Sequence, residues 1–282
     1  PRCTLEGAFE VERVFAEKPA TLWKHVEQHA GVTHEEFRHY FEGRNMAYGI
    51  LPESLGNVDH VLPVGVVCDG CNNYFSLKIE GPVLSSGYFR SLRFEQSVPN
   101  KKQRYPIQKG LITPGVVCDV HNDPVSGFAV DIPSEFAAIV ARQERGQLIF
   151  PTTGAEPPQP YMSRFIGKVG VEAMALRLLQ KGLDPCTIAD EPALECIRSW
   201  VRWGKSLIPW PFHQRRIYDA NASHRTAASP EAHQIMHEWD FLSTDAGEFY
   251  FCLAIFGVEY AVNMAGPSIE GYTDWIRDNP GK

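Results

Sequence analysis

The clearest periodic signal lies in residues 163–181, where Phe165, Ile166, Val169, Met174, Leu178 and Leu179 recur at helical spacing and give a broad apolar face. Residues 191–203 read as a second helix behind Asp190, with Pro192 in the first turn, where a missing N–H costs little, and Gly204 as the stop. Residues 248–264 are aromatic and β-branched around Gly257, the pattern of two strands buried on both faces. Further back, Leu92, Phe94 and Val98 alternate with polar neighbours and predict a half-buried strand over 91–98. Residues 115–132 read as more strands, broken at Asn122-Asp123-Pro124 and at Gly127, and 133–145 as a helix with Ser134 as N-cap. Two helices are expected near the N-terminus, over 19–30 and over 33–42, the second opened by a capping box of Thr33 and Glu36, and a short one over 273–279.

The prolines of residues 151–160 fit neither a helix interior nor a central strand, so they mark the best boundary in the chain. The expected class is α+β, with one domain over 1–150 and a second, of helices with a small antiparallel sheet, over 161–282. The longest apolar run, 249–262, is short for a bilayer and contains Glu259, so no membrane partner is expected. Without an apolar stretch behind Pro1-Arg2-Cys3, a cytoplasmic location is the expectation.

Net charge changes the picture of partners. At −7 the chain disfavours non-specific nucleic-acid binding, although nucleic acid stays possible, as does a homo-oligomer. One segment runs against that balance: Arg90, Arg93, Lys101, Lys102, Arg104 and Lys109 fall between Glu80 and Gly110 with only Glu80 and Glu95 to offset them. It reads either as a basic face for a phosphate or as a solvated hairpin. The seven cysteines, an odd number, suggest free thiols with one metal site and not a disulfide framework. His25 and His29 lie one helical turn apart and could chelate a metal, or simply face solvent.

Chemistry concentrates in residues 52–84. Cys68-Asp69-Gly70-Cys71 has the spacing with which two thiolates of a tight knuckle reach one zinc ion, and Asn72-Asn73 follow at once. Together with Pro52-Glu53-Ser54-Leu55-Gly56 and Lys78-Ile79-Glu80-Gly81-Pro82-Val83-Leu84, this string resembles a variant of the HNH endonuclease family. The resemblance implies a ββα-metal element in the first domain, a histidine that activates water, a catalytic Mg or Mn ion, and a structural zinc. It therefore implies a divalent-metal-dependent phosphodiester hydrolase.

Several family positions are changed. The histidine expected before Ile-Leu-Pro-Glu-Ser falls at Gly49. His60, in the string Asp59-His60-Val61-Leu62-Pro63, is the substitute base, with Asp59 in the same motif, Asn57 as orienting residue and Asn72 as metal ligand. The usual first Cys-x-x-Cys is reduced to Cys3 and Glu6, leaving Cys3, Cys68 and Cys71 as zinc ligands. Cys118 and His121, in an echo of the same Gly-Val-Val-Cys-Asp string, complete a set of four on paper, but on a strand they would point to opposite faces. The alternative is a diverged scaffold that no longer cuts nucleic acid and serves as a small-molecule enzyme or binding protein. A purely structural subunit is hinted at only by Trp200, Trp203 and Trp210 as interface residues.

Overall fold

The computed structural model describes residues 48–55, 57, 60–62, 66–100, 102–125, 127–206, 208–224 and 233–280. The predicted helices over 19–30 and 33–42, and the residues Cys3 and Asp59, lie outside them. Mixed α+β architecture is observed. It is organised around one long helix, Gln159–Gln180.

A two-residue hairpin, β1 (Tyr48–Gly49) against β2 (Val61–Leu62), leads to helix α1 (Asp69–Phe75). The next five residues, Ser76–Glu80, widen into a π turn before α2 (Gly81–Leu84). Pro82 explains the widening: it has no N–H to donate and its ring crowds the preceding turn. Gly81 N–H instead reaches five residues back, to Ser76 O.

Helix α3 (Gly87–Glu95) follows, capped by Ser86, whose hydroxyl accepts from Phe89 N–H. The strand predicted over 91–98 is therefore a helix. Phe89 and Leu92 are buried three residues apart, with Ser91 and Phe94 beside them, so the alternation of Leu92 and Phe94 was the edge of a broad helical face. Arg90 and Arg93 accordingly sit on this helix, and no hairpin carries them.

A four-stranded antiparallel sheet comes next, in the order β5-β4-β3-β6: β3 (Ile107–Ile112), β4 (Val116–Asp123), β5 (Gly127–Asp131) and β6 (Leu148–Ile149). Helix α4 (Ser134–Ala141) lies between β5 and β6; its cap is Pro133, with no side-chain cap bond from Ser134. Phe94 of α3 packs on Cys118 and Val120, while the Asn122 amide donates to Phe94 O at 2.8 Å and closes the end of α3.

The second half begins with α5 (Gln159–Gln180), a 22-residue helix buried on several sides. A helix apolar nearly all round has to be packed all round. It is flanked by α7 (Glu195–Trp203), reached through the short α6 (Thr187–Asp190), and by the sheet β10-β11-β12-β7. Those strands are β7 (His213–Arg216), β10 (His237–Ser243), β11 (Phe249–Ile255) and β12 (Val258–Asn263), with a small pair, β8 (Ser223–His224) and β9 (His233–Gln234), between. Added methyl groups at Gly167 and Gly170 would stand 3.0 Å from Val201 and Phe251, so glycine lets both neighbours approach α5 closely without shifting. Helix α8 (Glu270–Asp278) covers the far side of the sheet, burying Tyr250, Ala261 and Tyr272. Trp200 and Trp210 are stacked core residues, leaving Trp203 as the exposed tryptophan of the three.

One apolar cluster draws on Ile50, Leu55, Ile79 and Val83 as well as Phe165, Val169, Ile197 and Leu253, so the core is built from residues on both sides of the proline-rich stretch. That stretch passes directly over the start of α3. Tyr88 N–H donates to Ala155 O at 3.0 Å, and a Cβ at Gly87 would lie 2.8 Å from Ala155 N. Gly154→Ala would force its methyl onto the Gly87 backbone, which cannot yield as a side chain does. Denaturant unfolding is expected to show a loss of about 1–3 kcal/mol, the range of overpacking substitutions. Gly266→Ala, where a Cβ meets open space, is the control and should change stability by less than about 0.5 kcal/mol. Equal effects would refute the contact.

Candidate functional site

The hairpin–helix element is fastened before it offers any chemistry. Asn57, 3% exposed, donates to Leu51 O (2.9 Å) and His60 O (3.1 Å), and its Oδ1 accepts His60 N–H (3.1 Å). Ile50 N–H donates to His60 O. Asn57 thus closes the hairpin through backbone bonds. His60 turns toward the sheet: its Nδ1 lies 3.2 Å from His237 Nε2, and its ring meets Trp239 edge-on.

Cys68 is the N-cap of α1, its sulfur accepting Cys71 N–H at 3.3 Å. That backbone donor is the chief cause holding the Cys68 thiol below its usual range, whereas burial pushes Cys71 up. Asn72 serves the helix through its main chain, its N–H bonding Cys68 O and its carbonyl taking Ser76 N–H. The structure brings Cys68, Cys71 and Asn72 together on one helical turn. His60 is not among the side chains lining the cleft beside them.

That cleft, about 450 Å³, lies between residues 66–75 and the helices α5 and α7. Val66, Val67, Phe75, Val171 and Val201 give it apolar walls; Cys68, Cys71, Lys168, Glu172, Arg198 and Arg202 are its polar groups. A smaller cavity of about 190 Å³ adjoins it past Arg198 and Glu172, toward Ile188. Apolar walls with a few convergent polar groups, in this size range, are the usual form of a small-molecule site.

Lys168 is the anchor of the floor. It is 3% exposed, and its Nζ meets Glu172 Oε2 at 2.7 Å, Glu80 Oε1 at 2.9 Å and Ile50 O at 3.1 Å. Burial alone would lower its pKa, but the two carboxylates outweigh burial and hold it raised. Glu172 bears the cost, since burial pushes its carboxyl up to about 7 against the pull of Lys168. On the wall, Arg198 is spent on Glu195 (2.7 Å) and on main-chain carbonyls. Arg202 is different: its guanidinium stacks over Tyr74 (3.9 Å) and Trp203 (4.2 Å), and it makes no ion pair among the described residues.

The fit to a metal can be tested on the donors. Among the described residues no group of three or more His, Cys, Asp or Glu side chains converges as a metal site. Cys68 and Cys71 supply two soft ligands where zinc wants four, and Glu172, the carboxylate lining the cleft, is already held by Lys168. Cys118 is buried on one face of β4 while His121, on the other, pairs with Asp131 at 3.0 Å, so neither completes the set. The described residues alone do not fit a zinc or Mg/Mn ion. Compared with protein-family models, curated proteins and solved structures, the chain finds no match.

Sequence reasoning missed Lys168, Glu172, Glu80 and Arg202. The available signal was Lys168 and Glu172 at i and i+4 on an otherwise apolar stretch of helix, where charge has to be paired to be buried.

The raised Glu172 sets a pH dependence. Below pH 4.5 the carboxyl is protonated folded or unfolded; between 4.5 and about 7 the folded state holds the proton more tightly. Its contribution to stability is therefore lost as pH rises through that window, by up to about 3 kcal/mol. Denaturant unfolding at pH 5 and pH 8 should show this loss in the wild type and a flatter dependence in Glu172→Gln. Parallel pH profiles would contradict the assignment.

Proposed function

We propose that the chain is a diverged HNH-like scaffold that no longer cuts nucleic acid and holds a small anionic molecule with an apolar body in the cleft between residues 66–75 and helices α5 and α7. One observation carries the reading: the metal-knuckle turn of the resemblance opens onto a cleft of about 450 Å³ with apolar walls and, at its rim, a guanidinium that makes no ion pair among the described residues. Arg202 is the anion contact, its flat face already held by two rings, so little freedom is lost on binding. Val67, Val171 and Val201 receive the apolar part. Glu172 is the group able to exchange a proton near neutral pH, and Cys68 is the exposed thiol beside it.

The nuclease reading has its own supporting observation, the order of hairpin, Cys68–Cys71 turn and helix. It lacks a base at Gly49, and His60, whose Nδ1 lies against His237, does not line the cleft beside Cys68 and Cys71. A water-activating histidine needs a free nitrogen facing the reacting phosphate.

The two readings separate in one set of assays. The aromatic sulfonate 8-anilinonaphthalene-1-sulfonate serves as an anionic, apolar probe, followed by its fluorescence. Saturable binding is expected, weakened roughly tenfold by Arg202→Ala, as for loss of a charge-assisted contact, and abolished by the cleft-filling Val171→Trp. Supercoiled plasmid should stay intact with Mg²⁺, Mn²⁺ or EDTA. Metal-dependent nicking lost in both His60→Ala and Asn72→Ala, or probe binding indifferent to both cleft substitutions, would overturn the proposal.

A further inference from the structure

A second cleft, about 350 Å³, lies between α3 and residues 99–107, away from the first. It gathers three arginines: Arg90 and Arg93, three residues apart on one face of α3, and Arg104 from the loop opposite. Among the described residues none of the three guanidiniums has a hydrogen bond or ion pair to a side chain, and Arg93 Nε is buried without a hydrogen-bond partner there. Two like charges at i and i+3 repel, and a buried donor without an acceptor forfeits its hydration. An arrangement that costs stability twice calls for an external anion.

The loop is built to keep Arg104 in place. Asn100 Oδ1 accepts the N–H groups of Lys102 (2.8 Å) and Arg104 (3.2 Å), and Asn100 N–H donates to Arg104 O, closing a tight turn. Ser85 and Tyr105 also line the cleft. Burial holds the Arg93 guanidinium below its ordinary value, the sign of a cation short of counter-charge.

We propose that this cleft binds a phosphate-bearing small molecule, with Arg93, Arg90 and Arg104 as its anion contacts. Guanidinium forks match phosphate oxygens two at a time, and three of them around one cavity suit a di- or phosphomonoester terminus better than a lone carboxylate. Size and charge favour a compact ligand over a nucleic-acid strand. A strand is tracked by a basic stripe across several phosphates, whereas here the basic groups converge on one cavity of a chain carrying −7 overall. The inference does not depend on the function of the cleft at Cys68 and Glu172.

Inorganic pyrophosphate tests it by titration calorimetry and by thermal shift against sodium chloride of equal ionic strength, with a single-stranded oligonucleotide as competitor. Saturable one-to-one binding is expected, weakened roughly tenfold or more in Arg93→Ala and in the exposed-site variant Arg104→Ala, as for loss of charge-assisted bonds. The oligonucleotide should not displace pyrophosphate at equal phosphate concentration. Three outcomes would overturn the proposal: no binding beyond the chloride control, affinity unchanged in both variants, or an oligonucleotide that binds more tightly than pyrophosphate and is lost with the same arginines.

Discussion

A buried ammonium sets the terms for the rest of this structure. Lys168 is buried on the core helix, and a cation there is tolerated only with counter-charge and hydrogen bonds at hand. The chain supplies them from three places: Glu172 one turn along the same helix, Glu80 at the end of the π turn, and the carbonyl of Ile50 beside the hairpin. The hairpin, the π turn and the core helix are thereby held in one register. Removing any partner would strand a charge out of water, and such losses run to about 3–5 kcal/mol.

The same constraint shapes the site. With Glu80 drawn down onto Lys168, the helix that begins at Cys68 lies across α5 and α7, and the two thiols border a cleft that also contains the carboxyl of Glu172. Two carboxylates share one ammonium, so the triad carries an excess negative charge in a buried place. Glu172 answers by holding its proton toward neutral pH. Arg202, resting on Tyr74 and Trp203, is the positive group left over at the rim. The cleft is therefore proposed to take a small anion at Arg202, with the Cys68–Cys71 turn as what remains of a scaffold that no longer cuts.

Much of the fold was legible because its signals are local. Residues 163–181 announce a helix by their spacing, although it starts earlier, at Gln159, with Pro160 tolerated in its first turn; Gly204 adopts the left-handed turn that ends α7, and Gly257 separates two strands apolar on both faces. The strand expected over 91–98 is a helix through Glu95, because three apolar positions, Leu92, Phe94 and Val98, cannot tell a period of 2 from the shoulder of a period of 3.6. The site was legible only in part. The Cys68–Cys71 spacing reveals a cap, but Asn57 looked like a catalytic orienting residue when its three bonds are to backbone, and His60 faces a histidine 177 residues away. Long-range pairings such as Glu80 with Lys168 leave no trace in spacing. Pro82 hinted at a disturbed helix, yet nothing in the sequence said that the disturbance aims Glu80.

Native-state hydrogen exchange tests the central claim most directly. If the Lys168 triad ties the hairpin–helix element to the core, the amides of residues 71–84 should open only with those of 162–176, at one common free energy in the wild type. In Lys168→Met the first group should then open separately and at lower cost. Exchange of residues 71–84 already independent of the core helix in the wild type, and unaltered by Lys168→Met, would contradict the account.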